Sequence, residues 1–220
     1  MTSRPVRGFR ELLGEQKWAG LLDHGVERTY PPRSTLMRQG EPGTWLLAVV
    51  SGRVKVYGTE PDGGRLLIAL RAAGDLIGEI AARTANPRTA TVEAIDRCTA
   101  RLLSAEQFTV FLDRHDGQRA LGDYVISKLS QTVPYEMELV HFSAERKIAR
   151  LLLEVLALAD DAAVDPARIP FSQQELADAL GMVRSTVAQY LQRFKDSGAL
   201  APGPRLTVAD PGLLRAFAGV

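Results

Sequence analysis

The chain has 220 residues, with 27 Lys and Arg against 26 Asp and Glu, and 45% of its residues are hydrophobic. This composition excludes a disordered chain, and the balanced charge gives no sign of a surface that is basic overall. The single cysteine, Cys98, excludes an internal disulfide and an iron–sulfur cluster, so we expect a reducing, cytoplasmic location. No run of about 18 apolar residues is present, and we therefore predict that no membrane is involved.

Residues 30–103 have the pattern of short strands separated by turns. Within them, the sequence PDGG at 61–64 stands between two strand-like runs. Glycines can take positive φ without steric cost, so this tetrapeptide predicts a β-hairpin. Strands at roughly ten-residue spacing predict a jelly-roll β-barrel. Ser104 and Gln107 then match a capping box, which predicts the start of a helix.

Residues 117–142 carry one narrow apolar stripe at helical spacing. Its members are Leu121, Val125, Leu129, Val133, Met137 and Val140. Such a stripe on a helix of about 25 residues, about twice the average length, predicts pairing with the same helix of a second copy. The alternative is a helix that packs on the barrel of its own chain. Pro134 lacks an N–H and its ring clashes with the preceding turn, which predicts a kink or break between Thr132 and Pro134.

Two short amphipathic segments follow a polar connection near the end of the chain. Ser172 and Glu175 match a second capping box at the start of the first segment, and Gly181 suits the left-handed turn that ends it. The second segment, 184–198, has polar or cationic residues on its outer face. This pattern predicts a helix-turn-helix whose second helix enters a major groove, and the alternative is a helical hairpin that only packs. The sequence ALAPGPRLTV after it predicts a wing that brings Arg205 near a phosphate backbone.

The stretch SQQELADALGMVRSTVAQYLQRFKDSGAL resembles the winged helix-turn-helix of the Crp/Fnr family of bacterial transcription regulators. The resemblance implies that Arg184 reads a guanine edge through two hydrogen bonds, while neighbouring polar residues hold phosphates. Ser185 and Gln189 depart from the residues best known at the base-facing positions, which implies a different operator. The residues expected to contact DNA are Ser172, Gln173, Arg184, Ser185, Thr186, Gln189 and Lys195.

Two motifs in the barrel, GEIA at 78–81 and PRTA at 87–90, resemble the phosphate-binding cassette of cyclic-nucleotide-binding domains. The resemblance implies that Arg88 supplies the charge for a phosphodiester and Thr89 a hydroxyl donor, while Glu79 accepts from a ribose hydroxyl. Backbone N–H groups at a helix start would face the phosphate. The expected ligand residues in the barrel are Gly78, Glu79, Ile80, Ala81, Arg88 and Thr89.

The base of such a ligand is expected to meet a polar residue of the long helix. Counting from the flanking helix gives Thr132, and a shift in register gives Val133 or Lys128. The ligand would be cyclic AMP or cyclic GMP. A second interpretation stays open, in which Glu79 and Arg88 form a salt bridge that only supports the loop, and the effector is a different molecule or absent.

The predicted fold is therefore α+β, in three parts: a cyclic-nucleotide-binding-like barrel (1–116), a dimerisation helix (117–142) and a winged helix-turn-helix (143–220). The predicted function is a ligand-responsive regulator, not an enzyme, that binds a pseudo-palindromic double-stranded operator as a homodimer and has RNA polymerase as a further partner. Two alternatives are a cupin-type metalloenzyme and a haem or redox sensor using Cys98. The histidines, His24, His115 and His141, all lie outside the strand region, so we expect no metal site.

Overall fold

The computed structural model describes residues 8–59, 63–84, 86–159 and 165–220, with only the backbone of 131–140 described. The strands in this part of the chain are β1 (Val26–Tyr30), β2 (Thr35–Met37), β3 (Trp45–Ser51), β4 (Val54–Thr59), β5 (Arg65–Arg71), β6 (Leu76–Ile77), β7 (Thr91–Ala94) and β8 (Cys98–Ser104). The helices are α1 (Phe9–Leu13), α2 (Glu15–Asp23), α3 (Glu79–Thr84), α4 (Ala105–Arg114), α5 (Gln118–His141), α6 (Ala144–Ala157), α7 (Gln173–Leu180), α8 (Arg184–Asp196) and α9 (Pro211–Ala218).

The strands form two antiparallel sheets of four strands each, in the orders β1-β8-β3-β6 and β2-β7-β4-β5. This is the predicted jelly roll. β4 and β5 pair antiparallel on either side of the predicted hairpin loop, most of which lies outside the described residues. Apolar residues of both sheets, including Leu47, Val54 and Cys98, meet in the barrel core. The sheets thus form a closed scaffold that holds the loop between β6 and β7.

A second core lies outside the barrel, where helices that precede the strands and helices that follow them cover one sheet. Phe9 of α1 makes edge-to-face ring contacts with Trp18, Phe108 and Tyr124, which come from α2, α4 and α5. The capping box at Ser104 is confirmed, since its hydroxyl accepts from the N–H of Gln107. Helices α1 and α2, which precede the strands, were not anticipated from the sequence.

Helix α5 is shared between the barrel and an open face. Leu121 and Tyr124 are buried against the second core and Val125 packs on its edge, so the first part of the stripe follows the alternative interpretation. Ile126 and Leu129 instead are 61% and 64% exposed. Ile126 was not assigned to the stripe.

The helix is continuous from Gln118 to His141, so the break predicted near Pro134 does not occur, and the kink, its alternative, stays a prediction. A proline inside a helix removes one hydrogen bond, and the other turns of a 24-residue helix retain theirs. The side chains of Thr132, Val133 and Pro134 lie outside the described residues.

Helices α6 to α9 form a third core, which the barrel helps to complete. Leu67, Leu70 and Ile95 of the barrel belong to the same buried cluster as the apolar residues of these helices. Arg53, 3% exposed, joins the two units, since it donates to the carboxylate of Asp96 and to the main-chain oxygen of a residue near the end of α6. The helical unit is therefore docked on the second sheet. Helix α9 was not anticipated from the sequence.

Candidate functional site

The helix pair α7 and α8 has the local geometry that its sequence predicts. The Ser172 hydroxyl accepts from the N–H of Glu175 at 3.1 Å, and the Glu175 carboxylate accepts from the N–H of Ser172 at 2.8 Å. Gly181 ends α7 at φ 61°, in the left-handed region that glycine favours. Ala177 is fully buried, and its carbonyl accepts from the N–H of Met182 at 2.9 Å. The cap at Ser172, the turn at Gly181 and the small side chain of Ala177 together fix the angle between α7 and α8.

Helix α8 has one buried face and one polar, exposed face. Val187, Leu191 and Phe194 are at most 1% exposed and anchor the helix. Arg184 and Ser185 stand exposed in its first turn, and within the described residues the Arg184 guanidinium has no hydrogen-bond or ion-pair partner. The remaining residues expected to contact DNA divide into the exposed Ser172 and Gln189 and the half-buried Gln173, Thr186 and Lys195.

After α8, the segment of the predicted wing is held by isolated β-bridges. Leu200 pairs with Val208, and Arg168, from the segment before α7, pairs with Thr207, which the sequence did not predict. The Nζ of Lys195 donates to the carbonyl of Gly203 at 2.7 Å. Lys195 uses one of its three donors to fix the tip of the wing, and its expected contact with DNA stays a prediction.

In the barrel, the residues expected to bind a phosphodiester meet between β6 and β7. Gly78 has φ +81°, and a Cβ there would collide with the side chains of Arg88 and Met37, so glycine is required. Helix α3 begins at the next residue, with Ile80 exposed and Ala81 buried against Gly43. The loop therefore brings its backbone close to Arg88.

Arg88 is turned inward and is 4% exposed. Its Nη1 donates to the carbonyl of Gly78 at 3.0 Å, its Nη2 donates to the carbonyl of Trp45, and its guanidinium stacks 4.7 Å from the Trp45 ring centroid. Burial lowers the pKa of Arg88, and the nearby carboxylates of Glu41 and Glu79 act in the opposite direction. The buried Nε has no partner among the described residues. The neighbouring Thr89 is exposed.

Glu79 is paired with the long helix and not with Arg88. Its carboxylate, 2% exposed, accepts from Lys128 Nζ at 2.8 Å, and Lys128 also donates to the carbonyl of Leu76. Burial lowers the pKa of Lys128, and Glu79 counteracts this effect. The Glu79–Arg88 salt bridge of the second interpretation is absent from the described ion pairs, because Lys128 holds the carboxylate and backbone carbonyls hold the guanidinium.

The same network includes two residues that the sequence analysis missed. The Tyr124 hydroxyl accepts from the N–H of Leu76 and donates to Asp75 Oδ1, both at 3.0 Å, and Lys128 lies 4.4 Å from the Tyr124 ring centroid. An Asp and a Tyr 49 positions apart give no local signal, since only the packing of α5 on β6 joins them. Thr132, expected to meet the base, lies outside the described side chains.

The thiol of Cys98 is fully buried in the barrel core. Burial raises its pKa to about 12, and Asp96 adds to the effect. Among the described residues, no three His, Cys, Asp or Glu side chains form a group that could hold a metal ion. In the same part of the chain, no helix combines the length and apolar character needed to cross a membrane.

Comparisons with known proteins agree with this division into two sites. A cyclic nucleotide-binding domain profile matches residues 27–115, and a Crp-like helix-turn-helix domain profile matches residues 146–217. The cAMP-activated global transcriptional regulator CRP of Salmonella typhimurium is 28% identical over 184 residues, 82% of this chain and 87% of that protein. The nitrogen fixation regulation protein FixK of Bradyrhizobium diazoefficiens is 27% identical over 190 residues, 84% of this chain and 78% of that protein.

Solved structures show the same fold. The c-di-GMP responsive global regulator CLP of Xanthomonas campestris matches with a TM-score of 0.72 at 22% identity, over 90% of this chain and all of that one. FixK2 from Bradyrhizobium japonicum matches with a TM-score of 0.73 at 21% identity, over 88% of this chain and 96% of that one.

A cyclic nucleotide-binding domain followed by a Crp-like helix-turn-helix defines a class of DNA-binding transcription regulators. The chain belongs to the Crp/Fnr family within that class. Its matched relatives are regulators and not enzymes, which at the level of the family argues against a cupin-type metalloenzyme.

Proposed function

We propose that the protein is a homodimeric, sequence-specific regulator that binds double-stranded DNA and responds to a cyclic nucleotide held in its barrel. The observation that carries the DNA-binding part is the exposed polar face of α8, with Arg184 unpaired in its first turn among the described residues. A helix presented in this way fits a major groove, where an arginine bonds bidentately to guanine O6 and N7. The proposal places the protein in a bacterial cytoplasm, with DNA and RNA polymerase.

Residues at the start of α7 support the docking of this helix. Ser172 uses its hydroxyl oxygen to cap α7, which leaves the hydroxyl proton free to donate to a phosphate oxygen. Gln173 follows at the first position of the helix, where the helix dipole also favours an anion. In this proposal α7 fixes the position of the protein on the backbone, and Arg184, Ser185 and Gln189 of α8 read bases.

The exposed apolar residues of α5 support a dimer. Ile126 and Leu129 lie one turn apart on the same helix, and both are more than half exposed. A twofold pairing of α5 would bury them and would present two copies of α8. Half-sites centred about 34 to 36 Å apart, one turn of DNA, then follow from the twofold symmetry.

The barrel offers a phosphate site around Arg88. Its unpartnered Nε, the positive φ of Gly78 and the exposed Thr89 hydroxyl are the features that fit a phosphodiester. For the guanidinium to hold a phosphate, it must exchange its bonds to the Gly78 and Trp45 carbonyls for bonds to the ligand. The present bonds join the guanidinium to neutral carbonyls, and a phosphate adds the attraction of an opposite charge at the same donors, which favours the exchange.

The ion pair between Glu79 and Lys128 connects the proposed phosphate site to α5, so ligand binding there would influence the arrangement of the DNA-binding helices through α5. Glu79 begins α3 beside the phosphate site, and Lys128 belongs to the helix proposed to form the dimer. A ligand that competes for Glu79 shifts the balance between arrangements of α5 only by its different affinity for each arrangement. A nearly complete switch, from 1:99 to 99:1, requires about 5.5 kcal/mol.

A second candidate is the same DNA-binding dimer with a different effector or none. It is favoured by the present bonds of the barrel site, where Lys128 holds Glu79 and backbone carbonyls hold the two terminal nitrogens of Arg88. In that case the polar network is structural and stiffens the junction of barrel and α5.

The DNA-binding proposal is tested by selecting duplexes from a random pool with the full-length protein, followed by anisotropy titration of the enriched sequence. We expect an inverted repeat with half-sites one turn apart. The absence of any enriched sequence, with and without cyclic AMP and cyclic GMP, would contradict the proposal.

The dimer is tested by sedimentation equilibrium of Leu129→Glu. We expect this variant to sediment as a monomer, because a buried, unpaired carboxylate on each copy opposes association. The matched control is Val110→Glu, which places the same charge on an exposed valine of α4. Dimers of equal strength in the wild type and in both variants would exclude α5 as the interface.

Titration calorimetry with cyclic AMP and cyclic GMP separates the two effector candidates. We expect one nucleotide to bind the wild type and the exposed Arg83→Ala control equally, and to bind Arg88→Ala at least tenfold more weakly, since a hydrogen bond to a charged group contributes about 1.5 to 3 kcal/mol. No heat with either nucleotide would favour the second candidate.

A further inference from the structure

Three arginines are buried within the described residues, and they differ in how many bonds they make. Arg53 donates to the carboxylate of Asp96 and to a main-chain oxygen of α6, and Arg88 donates to two carbonyls and stacks on an indole ring. Arg71, 9% exposed, makes a single hydrogen bond in the described part of the chain, from its Nη1 to the carbonyl of the preceding Leu70 at 2.7 Å. Buried charges are normally paired, so the other donors of Arg71 are available to a ligand.

The register of β5 shows which way Arg71 faces. Arg71 is the last residue of the strand and stands opposite Val54 of β4, whose side chain belongs to the barrel core. Leu70, one residue earlier, belongs to the third core on the outer side of the sheet. Because residues directly opposite each other share a face and successive residues alternate, Arg71 lies on the inner face, at the end of the strand.

Helix α5 covers the loop that follows β5. Asp75 of this loop accepts from the N–H of Ala72 and from the Tyr124 hydroxyl of α5, each at 3.0 Å. The charge of Arg71 acts on two residues of the helix. Burial raises the pKa of Tyr124 well above its usual value, and Arg71 counteracts this effect. Burial lowers the pKa of Lys128, and Arg71 adds to this effect. Arg71 therefore lies beside the part of α5 that faces the sensor site.

One acidic side chain of α6 is influenced by the same charge. Desolvation raises the pKa of the Glu154 carboxyl, and Arg71 acts in the opposite direction. Among the described residues the two form no ion pair, whereas Lys128 and Glu79 in the same region are 2.8 Å apart. Arg71 is thus placed where the barrel meets α5 and α6, with donors that no described carboxylate accepts.

We propose that Arg71 reads the base of the effector and makes the protein select a guanine nucleotide, cyclic GMP, over cyclic AMP. This inference rests on the proposed function, in which Arg88 holds the phosphate and Glu79 the ribose, so that the base extends from Glu79 towards α5. The planar guanidinium presents parallel N–H donors, which match the O6 and N7 acceptors on one edge of guanine. Adenine presents an amino group beside N7 at the same edge, and this donor opposes the donors of arginine.

The test is titration calorimetry of the full-length protein with cyclic GMP, cyclic AMP and 7-deaza cyclic GMP, which lacks the N7 acceptor. A bidentate contact between arginine and guanine discriminates by about 5- to 150-fold. The wild type is therefore expected to bind cyclic GMP at least about fivefold more tightly than either of the other two nucleotides. A wild type that binds cyclic AMP or the 7-deaza analogue as tightly as cyclic GMP overturns the inference, and this comparison requires no variant.

Arg71→Gln is expected to lose the preference, because it weakens the binding of cyclic GMP and leaves that of cyclic AMP unchanged. The matched control is Arg65→Gln, which removes the same charge from an exposed arginine of the same strand and is expected to keep the wild-type preference. Thermal unfolding checks that both variants fold. An unaltered ratio of the two affinities in Arg71→Gln contradicts the inference and leaves the proposed function standing. If the wild type binds neither cyclic GMP nor cyclic AMP, the proposed control by a cyclic nucleotide fails, and the inference fails with it.

Discussion

The two arginines at the centre of the proposed sites stand in opposite surroundings. Arg88 in the barrel is 4% exposed, and backbone carbonyls hold its terminal nitrogens. Arg184 on α8 is exposed and unpaired in the described part of the chain. The surface proposed to read DNA therefore presents Arg184 without breaking an internal bond, whereas the proposed ligand site must exchange the internal bonds of Arg88 first. Arg184 is thus already placed to contact a ligand, whereas Arg88 is bonded to two other segments of the barrel.

The first prediction concerns the buried pair beside Arg88. Lys128→Met leaves the Glu79 carboxylate, 2% exposed, without its cation, and removing one partner of a buried pair typically costs about 3 to 5 kcal/mol. Urea titration measures this loss as a change in the free energy of unfolding. The control is Arg119→Met, which breaks an exposed pair with Asp123 and is expected to cost under about 1 kcal/mol. Equal losses of unfolding free energy in the two variants would show that the buried Glu79–Lys128 pair contributes no more stability than the exposed Arg119–Asp123 pair.

The second prediction concerns the exposed arginine. Arg184→Ala is expected to lower the affinity for the selected operator by about 1 to 3 kcal/mol for each half-site, because a bidentate contact to a base is lost. The free energy of unfolding is expected to stay within about 0.5 kcal/mol of the wild type. Anisotropy and urea titrations measure the two quantities. An undiminished preference for the operator over a scrambled duplex would show that Arg184 does not read bases.

The third prediction applies the same substitution in the barrel. Arg88→Ala removes the donors to the carbonyls of Gly78 and Trp45. The Gly78 carbonyl keeps the N–H of Ala82, so the loss falls mainly on the Trp45 carbonyl, and leaving such a buried group unpaired costs about 1 to 3 kcal/mol. The exposed control Arg83→Ala is expected to change stability by less than about 0.5 kcal/mol. Urea titration of both variants decides the matter, and an equally small effect of each would mean that the inward bonds of Arg88 are not stabilising.

The fourth prediction concerns the contact that docks the DNA-binding unit on the barrel. Glu175 accepts from Lys55 at 3.0 Å and from Arg33 at 3.3 Å while it caps α7. Burial acts to raise the pKa of Glu175, but the hydrogen bonds from Ser172 and Lys55 outweigh it and hold the pKa below its usual value.

A carboxyl group whose pKa is lowered by folding contributes stability above its unfolded pKa, about 4.3, and loses that contribution as the pH falls through the folded value. Glu175→Gln keeps a residue suited to the capping box and removes only the charge. We expect the variant to be less stable than the wild type at pH 7, and the difference to shrink as the pH falls through the folded pKa of Glu175, as measured by urea titration over an acidic to neutral range. A difference that is constant with pH would assign the effect to the cap and not to the charge.

The parts of the fold that local sequence predicts well are those in which neighbouring residues contact each other. The capping boxes at Ser104 and Ser172 and the left-handed Gly181 each join residues a few positions apart, and all three are confirmed. The whole apolar stripe on α5 was assigned to pairing with a second copy, because helical periodicity does not show which surface a helix face packs against. The structure divides that stripe between the barrel, at Leu121, and an open face, at Leu129.

The motifs bring Glu79 and Arg88 to the same part of the barrel, and their role in ligand binding stays a prediction. The alternative, a salt bridge between the two, is replaced by bonds from Lys128 of α5 and to backbone carbonyls. The partner of a buried charge depends on which long-range elements pack beside it, and desolvation makes any nearby opposite charge a strong competitor. The pairing of Arg168 with Thr207 was missed for a similar reason, since a single β-bridge produces no periodic pattern in the sequence.

The sequence by itself determined that a jelly roll is followed by a long helix and a helix-turn-helix, and it singled out Arg88 and Arg184. These features follow from short-range patterns of polarity, turns and caps. Only the tertiary structure decided that Arg88 is buried and Arg184 exposed, that Lys128 pairs with Glu79, and that Arg168 pairs with Thr207. These outcomes depend on which distant segments exclude water from each charge, and the exclusion of water is a property of the packed molecule and not of any stretch of chain.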